Sequence, residues 1–135
     1  MVGGYINMKL ILTLFICFLI CVTADYITGV MKAYVNSEVS SKVGRKGILK
    51  KASYIAVVFC AMMIDYLIFI TSGKFGVNYD PISCVLVMAW FVINELISIL
   101  ENVSSMGAPC PKFLKSLMKR LQNNIESVDK GDKSK

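Results

Sequence analysis

The sequence predicts an all-α integral membrane protein with three transmembrane helices, and three observations lead to that fold class. Of the 135 residues, 56% are hydrophobic, and the mean hydropathy of +0.62 is too high for an ordinary soluble domain. The apolar residues form three runs of nearly membrane-spanning length. The charged residues, which give a net charge of +6, lie mainly in blocks between those runs. We therefore expect one domain that is embedded in a membrane.

The composition argues against an enzyme, because the chain contains no histidine. A Ser/His or Cys/His catalytic pair and a His-bearing metal site both need an imidazole. The five cysteines show no C-x-x-C spacing, and four lie in apolar runs, where cysteine packs as a small hydrophobe. We expect no cofactor and no metal. The placement of the basic blocks favours a membrane surface over nucleic acid as their partner.

The first predicted span covers about residues 10–31. It lies between Lys9 and Lys32 and is interrupted only by Asp25, and its length suits a membrane crossing. A cleaved signal peptide is the alternative, because Leu10 to Val22 resembles the apolar region of such a segment. Cleavage would place the following basic loop outside, against the positive-inside rule, so a retained span is favoured.

The second predicted span fits a membrane crossing better than the third. The second, about 52–73, is bounded by lysines and interrupted only by Asp65. The third, about 81–100, contains Glu95, and its uninterrupted apolar part is the short segment 82–93. The third span is therefore the weakest of the three by length.

The distribution of Lys and Arg predicts the orientation, since basic connections are retained on the cytoplasmic side. The stretch that joins the first two spans, counted with its flanking lysines, carries six basic residues, whereas the next connection has one. The segment before the first span has one, and the tail after Glu101 has seven. These counts predict an outside N-terminus and a cytoplasmic C-terminus.

Two cytoplasmic segments are predicted outside the spans. Gly44 and Gly47 are expected to break any helix in the stretch 36–47, which would form an elbow. Residues 1–111 are assigned to the transmembrane domain, and 112–135 to a basic amphipathic helix with a disordered tail. That helix either packs on its neighbours or lies on the anionic inner surface. The basic residues expected at the membrane surface are Lys42, Arg45, Lys46, Lys50, Lys51, Lys112, Lys115, Lys119 and Arg120.

Each predicted span contains one acid. A charge at the bilayer centre costs about 2.5 to 3.5 kcal/mol or more, so such a residue normally faces a partner or water. Small residues follow the first acid at four-residue steps, and such a face lets another helix approach closely. The polar residues of the third span form one stripe along its cytoplasmic half. The candidates for pore lining or helix packing are Asp25, Gly29, Ala33, Asp65, Asn94, Glu95, Ser98, Glu101 and Asn102.

Other roles for these acids stay open on sequence alone. They could be protonated or paired with lysines and serve only folding. They could also belong to a small ion or proton-coupled transporter or channel subunit, because acids form relays in such proteins. Three short spans cannot enclose a pathway, so a pore and a transporter both require a homo-oligomer. A passive membrane scaffold or regulator is a further alternative.

Five features follow one another along the chain in the order of a known family. Residues 25–33 fit D-x-x-x-G-x-x-x-A, and residues 40–51 contain S-x-x-G-x-x-G-x-x-K-K. Asp65 matches an acid in the second span, residues 94–102 contain E-x-x-S-I-L-E-N, and residues 107–114 fit G-x-P-x-P-x-x-L. Over nearly its whole length the chain resembles the toxin-secretion and phage-lysis family of holins.

The resemblance implies a phage or prophage protein that accumulates in the bacterial inner membrane and then opens it. The opening would release a cell-wall hydrolase (an endolysin) or a large toxin, without a necessary direct contact between the two proteins. The family uses no cofactor and has no enzymatic activity. Further copies of the chain and membrane lipids are therefore the expected direct partners.

The predicted topology is testable by cysteine labelling after the native cysteines are replaced. A cysteine at Asn78 should react with an impermeant thiol reagent from outside the cell. A cysteine at Ser41 should react only after the membrane is permeabilised. The reverse labelling pattern would contradict the three-span arrangement.

Overall fold

The fold is known from a computed structural model that describes residues 8–75 and 82–131. Within these ranges the chain is almost entirely helical and contains no strand, so the predicted all-α class is confirmed. The four helices are α1 (Met8–Val35), α2 (Ser41–Phe75), α3 (Ile82–Ser105) and α4 (Lys112–Gly131).

Three of the helices are long and apolar enough to cross a membrane, as predicted. The qualifying segments are Lys9–Val35, Gly44–Lys74 and Ile82–Ser105. At 1.5 Å per residue, segments of 24 to 31 residues extend about 36 to 46 Å. A bilayer's hydrocarbon core is about 30 Å thick, so each of these segments is long enough to cross it.

The connection between α1 and α2 is shorter than the predicted elbow. Gly44 and Gly47 lie inside α2, and only residues 36–40 are outside the helices, so the predicted break at the two glycines was wrong. A glycine inside a helix costs about 1 kcal/mol relative to alanine. That cost does not end a helix whose other residues maintain the hydrogen-bond ladder, and the Gly44 N–H donates to the Ser40 carbonyl at 3.1 Å.

A compact turn ends α1 and directs the chain into α2. The Ser37 N–H donates to the Tyr34 carbonyl at 3.2 Å, and the Glu38 N–H donates to the Ala33 carbonyl at 2.8 Å. This pair of bonds is the Schellman pattern, which satisfies the last carbonyls of a helix. Ser37 takes the left-handed backbone conformation (φ 56°) that glycine usually adopts at this position.

The central helix of the bundle is α3. It packs most extensively on α1 and also on α2 and α4, whereas α1 and α2 touch only marginally. The small apolar core includes Phe91 of α3, whose ring stacks on Tyr54 with centroids 4.5 Å apart and lies 5.9 Å from Phe18. Most large apolar side chains of α1 and α2 face outward. This distribution suits a protein whose outer surface contacts lipid.

The acid of α2 binds the beginning of α3. The buried carboxylate of Asp65 accepts the backbone N–H of Ser83 at 3.2 Å and that of Cys84 at 2.7 Å. The first N–H groups of a helix have no partner within that helix, and the positive end of its dipole favours a negative charge. Asp65 therefore acts as an N-terminal cap that one helix supplies to another.

Replacing this cap should destabilise the bundle. In Asp65→Leu the first turn of α3 loses its capping carboxylate, and a lost helix cap costs about 0.5 to 2 kcal/mol. Asp65→Asn keeps one acceptor oxygen and should lose less. The midpoint of thermal unfolding of the detergent-solubilised chain measures the difference.

Thr71→Val is the matched control, because the Thr71 hydroxyl bonds to carbonyls of its own helix. Its unfolding midpoint should stay close to that of the unmodified chain. An unchanged midpoint for Asp65→Leu would show that the contact does not cap α3.

Candidate functional site

Charged side chains from all three membrane-spanning helices meet at one place. The Nζ of Lys51 on α2 donates to Oδ2 of Asp25 on α1 at 2.6 Å and also to Oε2 of Glu95 on α3. The side chains of Lys51, Asp25 and Glu95 are 14%, 12% and 5% exposed. We call these three residues the charged centre. One ammonium group is shared by two carboxylates, so the centre carries one negative charge when all three groups are ionised.

The charged centre forms a layer across the three membrane-spanning helices, nearer to the basic end of the bundle. Each member lies about ten residues from the end of its helix on the side where α1 joins α2. Ten residues of helix correspond to about 15 Å, so the layer lies well inside each helix. An unpaired charge is costly in the apolar part of a bilayer, about 2.5 to 3.5 kcal/mol or more at its centre, and mutual pairing lowers the cost of burying three charged groups between the helices.

An amide from α3 completes the surroundings of Asp25. The Nδ2 of Asn102 donates to Oδ1 of Asp25 at 3.0 Å and to Oγ1 of Thr28 at 3.3 Å. Gly29 is next to this contact, because a Cβ added there would lie 3.7 Å from the Asn102 amide nitrogen. Both carboxylate oxygens of Asp25 are therefore bonded, one to an ammonium and one to an amide, and this fixes α1 against α3.

The structure brings four of the predicted site residues together and separates a fifth. Asp25, Glu95, Asn102 and Gly29 lie in or directly beside the charged centre. Asp65 is bonded to the beginning of α3 instead. The three intramembrane acids therefore do not form one cluster, and the acid of α2 has a different role from the other two.

The remaining polar candidates on α3 point in different directions. The Oδ1 of Asn94 accepts a hydrogen bond from Nε2 of Gln122 on α4 at 2.9 Å. Ser98 lines two cavities beside the charged centre, and Glu101 is exposed. Ala33 lies on the wall of one of those cavities. The single stripe predicted along α3 is thus divided between the charged centre, α4 and the outer surface.

Lys51 is the functional residue that sequence reasoning placed differently. The sequence predicts a surface position for it, because it flanks the predicted second span. Since α2 begins at Ser41, Lys51 is well inside the helix and contacts the two acids. The sequence signal that could have identified Lys51 is that Asp25 and Glu95 lie inside predicted spans that contain no cation to pair with them. The other basic candidates of α2, namely Lys42, Arg45, Lys46 and Lys50, are exposed.

The charged centre lies between two cavities. A groove of about 540 Å³ separates α1 from α2, and a cavity of about 470 Å³ lies where α2, α3 and α4 meet. Asp25, Lys51 and Ser98 line both. Polar groups of the centre are therefore accessible from two sides, although they are mostly buried.

The amphipathic helix α4 packs along α3. Besides the bond between Gln122 and Asn94, the indole Nε1 of Trp90 donates to Oε1 of Glu126 at 3.4 Å. This is the packing role that the sequence left open for α4, whereas a position on the membrane surface stays a prediction.

One row of apolar side chains on α4 remains exposed, namely Phe113, Leu117 and Leu121. Three of its basic candidates, Lys112, Lys119 and Arg120, are exposed as well, and Lys115 is half-buried.

Comparison with known proteins identifies the family. The sequence model of the bacteriophage holin family matches residues 6–123. The chain belongs to the bacteriophage holin family. The suspected resemblance is thereby confirmed, and the three apolar helices agree with a multi-pass membrane protein of that family.

Relatives of this holin-family protein occur in several bacteria. An uncharacterized protein of Clostridium perfringens strain 13 is 35% identical over 78% of this chain and 72% of its own length. An uncharacterized protein of Listeria innocua is 36% identical over 87% of this chain and 76% of its own. One of Halalkalibacterium halodurans is 35% identical over 84% and 76%. No solved structure matches the chain.

Removing the shared cation should destabilise the bundle. Lys51→Met leaves the carboxylates of Asp25 and Glu95 without their partner, and breaking a buried ion pair in this way costs roughly 3 to 5 kcal/mol. The triple variant Asp25→Asn, Lys51→Met, Glu95→Gln leaves no unpaired charge and should recover most of the lost stability. Thermal unfolding in detergent measures both effects.

The neighbouring exposed Lys50 provides the matched control. Lys50→Met should change stability by no more than about 0.5 kcal/mol, as is usual for an exposed position. Equal losses in the two single variants would mean that the charged centre contributes no specific stabilisation.

Proposed function

We propose that this holin-family protein assembles into a homo-oligomer that opens the bacterial inner membrane and releases a cell-wall hydrolase or a large toxin. The observation that carries the proposal is the charged centre, in which each spanning helix contributes an ionisable group to one layer at membrane depth. Family membership supports it independently. No direct contact with the released protein is required, because a lesion passes whatever protein fits through it.

An oligomer is needed because one chain cannot enclose a pathway. Three spans in which α3 is central leave no room for a lumen, and the outer faces of α1 and α2 are mainly apolar. A pore needs polar surfaces that face a common interior. The charged centre, together with Ser98 and Asn102, provides polar groups from all three membrane-spanning helices beside two cavities.

Assembly opens the pore by an exchange of ion pairs. In the single chain Lys51 pairs with the acids of its own α1 and α3. In the oligomer the same ammonium pairs with acids of a neighbouring chain. The number of ion pairs is therefore conserved while α2 separates from α1 and α3 of its own chain. The free energy of opening then depends mainly on helix packing and on the density of chains in the membrane. Mass action makes such an assembly depend on accumulation.

The basic end of the bundle is assigned to the cytoplasmic side, with the N-terminus outside. Near an anionic inner leaflet each lysine or arginine contributes roughly 1 kcal/mol of attraction. Exposed basic residues at the beginning of α2 and along α4 support this orientation. Acidic membrane lipids are therefore the second class of partner.

A small ion or proton-coupled channel or transporter subunit is the second candidate function. The observation that favours it is the position of two carboxylates and a lysine between two cavities. Such a protein needs the ionisable group itself, because acids in transporters relay protons. A pore needs only polarity at the same position, and this difference separates the two functions.

The test co-expresses the chain with a wall hydrolase that has no export signal and follows lysis and membrane potential. The unmodified chain should collapse the potential and lyse the cells. Glu95→Leu with Ser98→Leu makes α3 more apolar, so insertion should persist while lysis is lost. Glu95→Gln keeps the shape and hydrogen bonding and should retain part of the lysis, whereas a transporter would lose its activity with Gln as with Leu.

Thr23→Leu controls for added hydrophobicity, because Thr23 is on α1, away from the charged centre, and its hydroxyl bonds to the Leu19 carbonyl of its own helix. It should leave lysis unchanged at equal accumulation, measured by immunoblot of membranes. Normal hydrolase release by the double-leucine variant would contradict the proposed role of the charged centre.

A further inference from the structure

Helix α4 lies antiparallel to α3. Its side-chain bonds pair Gln122 with Asn94 and Glu126 with Trp90, so residue numbers rise along α4 as they fall along α3. We call this the docked position of α4. Beside a membrane-spanning α3, a docked α4 runs into the membrane instead of along its surface. The packing role and the surface role of α4 are therefore two different positions of the same helix.

The docked position places exposed charges at membrane depth. Trp90 is fifteen residues from the end of α3 at Ser105, or about 22 Å along the helix. When α3 crosses a core about 30 Å thick, at most about 6 Å of its roughly 36 Å extends beyond one side, so the level of Trp90 lies at least about 16 Å inside. Glu126, at that level, is exposed. Because a charge exposed to lipid is costly, the membrane disfavours the docked position.

The surface of the inner leaflet offers α4 an alternative position. The helix carries an exposed apolar row and exposed basic residues, and such a helix binds an anionic interface through both. The row consists of Phe113, Leu117 and Leu121, and the basic residues are Lys112, Lys119 and Arg120. Residues 106–111, which connect α3 to α4, are outside the helices, and Gly107 there has a φ of 86°. A change of direction in this connection moves α4 without unwinding α3.

The docked helix covers polar groups of α3. The Asn94 amide and the Trp90 indole both have their partners on α4, and they lose these partners when α4 leaves. An asparagine inside a membrane then forms its hydrogen bond with a neighbouring helix. The cavity next to this face is also lined by Lys51 and Glu95. A helix of another chain on this face would satisfy Asn94 and lie beside the charged centre.

We propose that α4 covers the face of α3 to which a second copy of the chain binds, and that α4 uncovers this face by moving onto the anionic inner surface. The inference rests on the proposed homo-oligomer and specifies the contact between its chains. The Asn94 amide both donates and accepts, so Asn94 of two chains can pair across a two-fold contact. The same contact brings a neighbouring chain to the charged centre, where the exchange of ion pairs takes place.

The position of α4 is measured through Trp90, the single tryptophan of the chain. The full-length chain is reconstituted at low density in vesicles of phosphatidylcholine, or of phosphatidylcholine and phosphatidylglycerol in equal parts. All vesicles contain the same share of phosphatidylcholine brominated in mid-chain, which quenches an indole that it contacts. Phosphatidylglycerol should increase the quenching, because α4 leaves Trp90. At high protein density the quenching should fall again, because a second copy covers the indole.

Two triple variants identify the attraction that moves α4. Phosphatidylglycerol should favour the surface position about a hundredfold, which corresponds to roughly 1 kcal/mol for each of three basic residues. The variant that neutralises them should therefore lose the increase in quenching, namely Lys112→Gln, Lys119→Gln, Arg120→Gln. The control triple removes the same residue types from α2 and should keep the increase, namely Lys42→Gln, Arg45→Gln, Lys46→Gln. Circular dichroism verifies that the helices of each variant are intact.

The two partners of one hydrogen bond give opposite predictions for assembly. Gln122→Ala weakens docking by about tenfold, the value of one hydrogen bond, and leaves Asn94 free to bind a second copy. Lysine-directed crosslinking in the phosphatidylglycerol vesicles should then yield more dimers. Asn94→Ala breaks the same bond but also removes the group that binds the second copy, so it should yield fewer. Asn123→Ala removes an exposed amide from α4 and should leave the yield unchanged.

Three results would overturn the proposal. Equal quenching in the two kinds of vesicle would show that α4 does not respond to anionic lipid. Equal losses in the two triple variants would indicate a general surface attraction. Changes of the same sign in Gln122→Ala and Asn94→Ala would mean that their bond serves only to hold the fold. Neither measurement depends on lysis, so a chain that gives the expected quenching and dimers but does not lyse cells would contradict the proposed function alone.

Discussion

The ammonium group of Lys51, shared between carboxylates on α1 and α3, is the interaction on which the arrangement of the three spans depends. Lipid is as apolar as the side chains it surrounds, so no hydrophobic effect drives helices together within a bilayer. Close packing and polar contacts must do so. Because α1 and α2 touch only marginally, the ion pair between Asp25 and Lys51 is a principal link between them, and the bond to Glu95 sets the register of both against α3.

A second polar contact holds the hairpin of α2 and α3 at the other end. Asp65 binds the first turn of α3, while Lys51 and Glu95 pair nearer the basic end. Between these two contacts the helices pack through Tyr54 and Phe91. Asp65 thus has a structural role different from that of Asp25 and Glu95, although all three acids are equally unusual in an apolar run. A helix with only apolar residues could slide or rotate against its neighbour, whereas two directional contacts permit one register.

The sequence predicts those features that depend on position along one helix. Span number follows from the length of apolar runs, and the importance of Asp25 and Glu95 follows from the cost of a charge in lipid. The partners of these acids depend on how helices meet in three dimensions. Lys51 flanks a span in the sequence but is inside a helix that begins earlier. Predicting that Asp65 caps α3 would require the position of the start of α3 relative to α2, and no residue pattern gives that position.

Under the proposed function, the same contacts that stabilise one chain would also keep it inert until it accumulates. An ion pair between two helices of one chain has the same chemistry as one between neighbouring chains, so exchanging them changes the electrostatic energy little. Within one chain, Asp25, Lys51 and Glu95 already have hydrogen-bonded partners, so in the proposed mechanism none of them has to face lipid before assembly. Because assembly of several copies rises steeply with their density, a small energetic preference for the oligomer would be sufficient, under the proposed function, to make opening depend on accumulation.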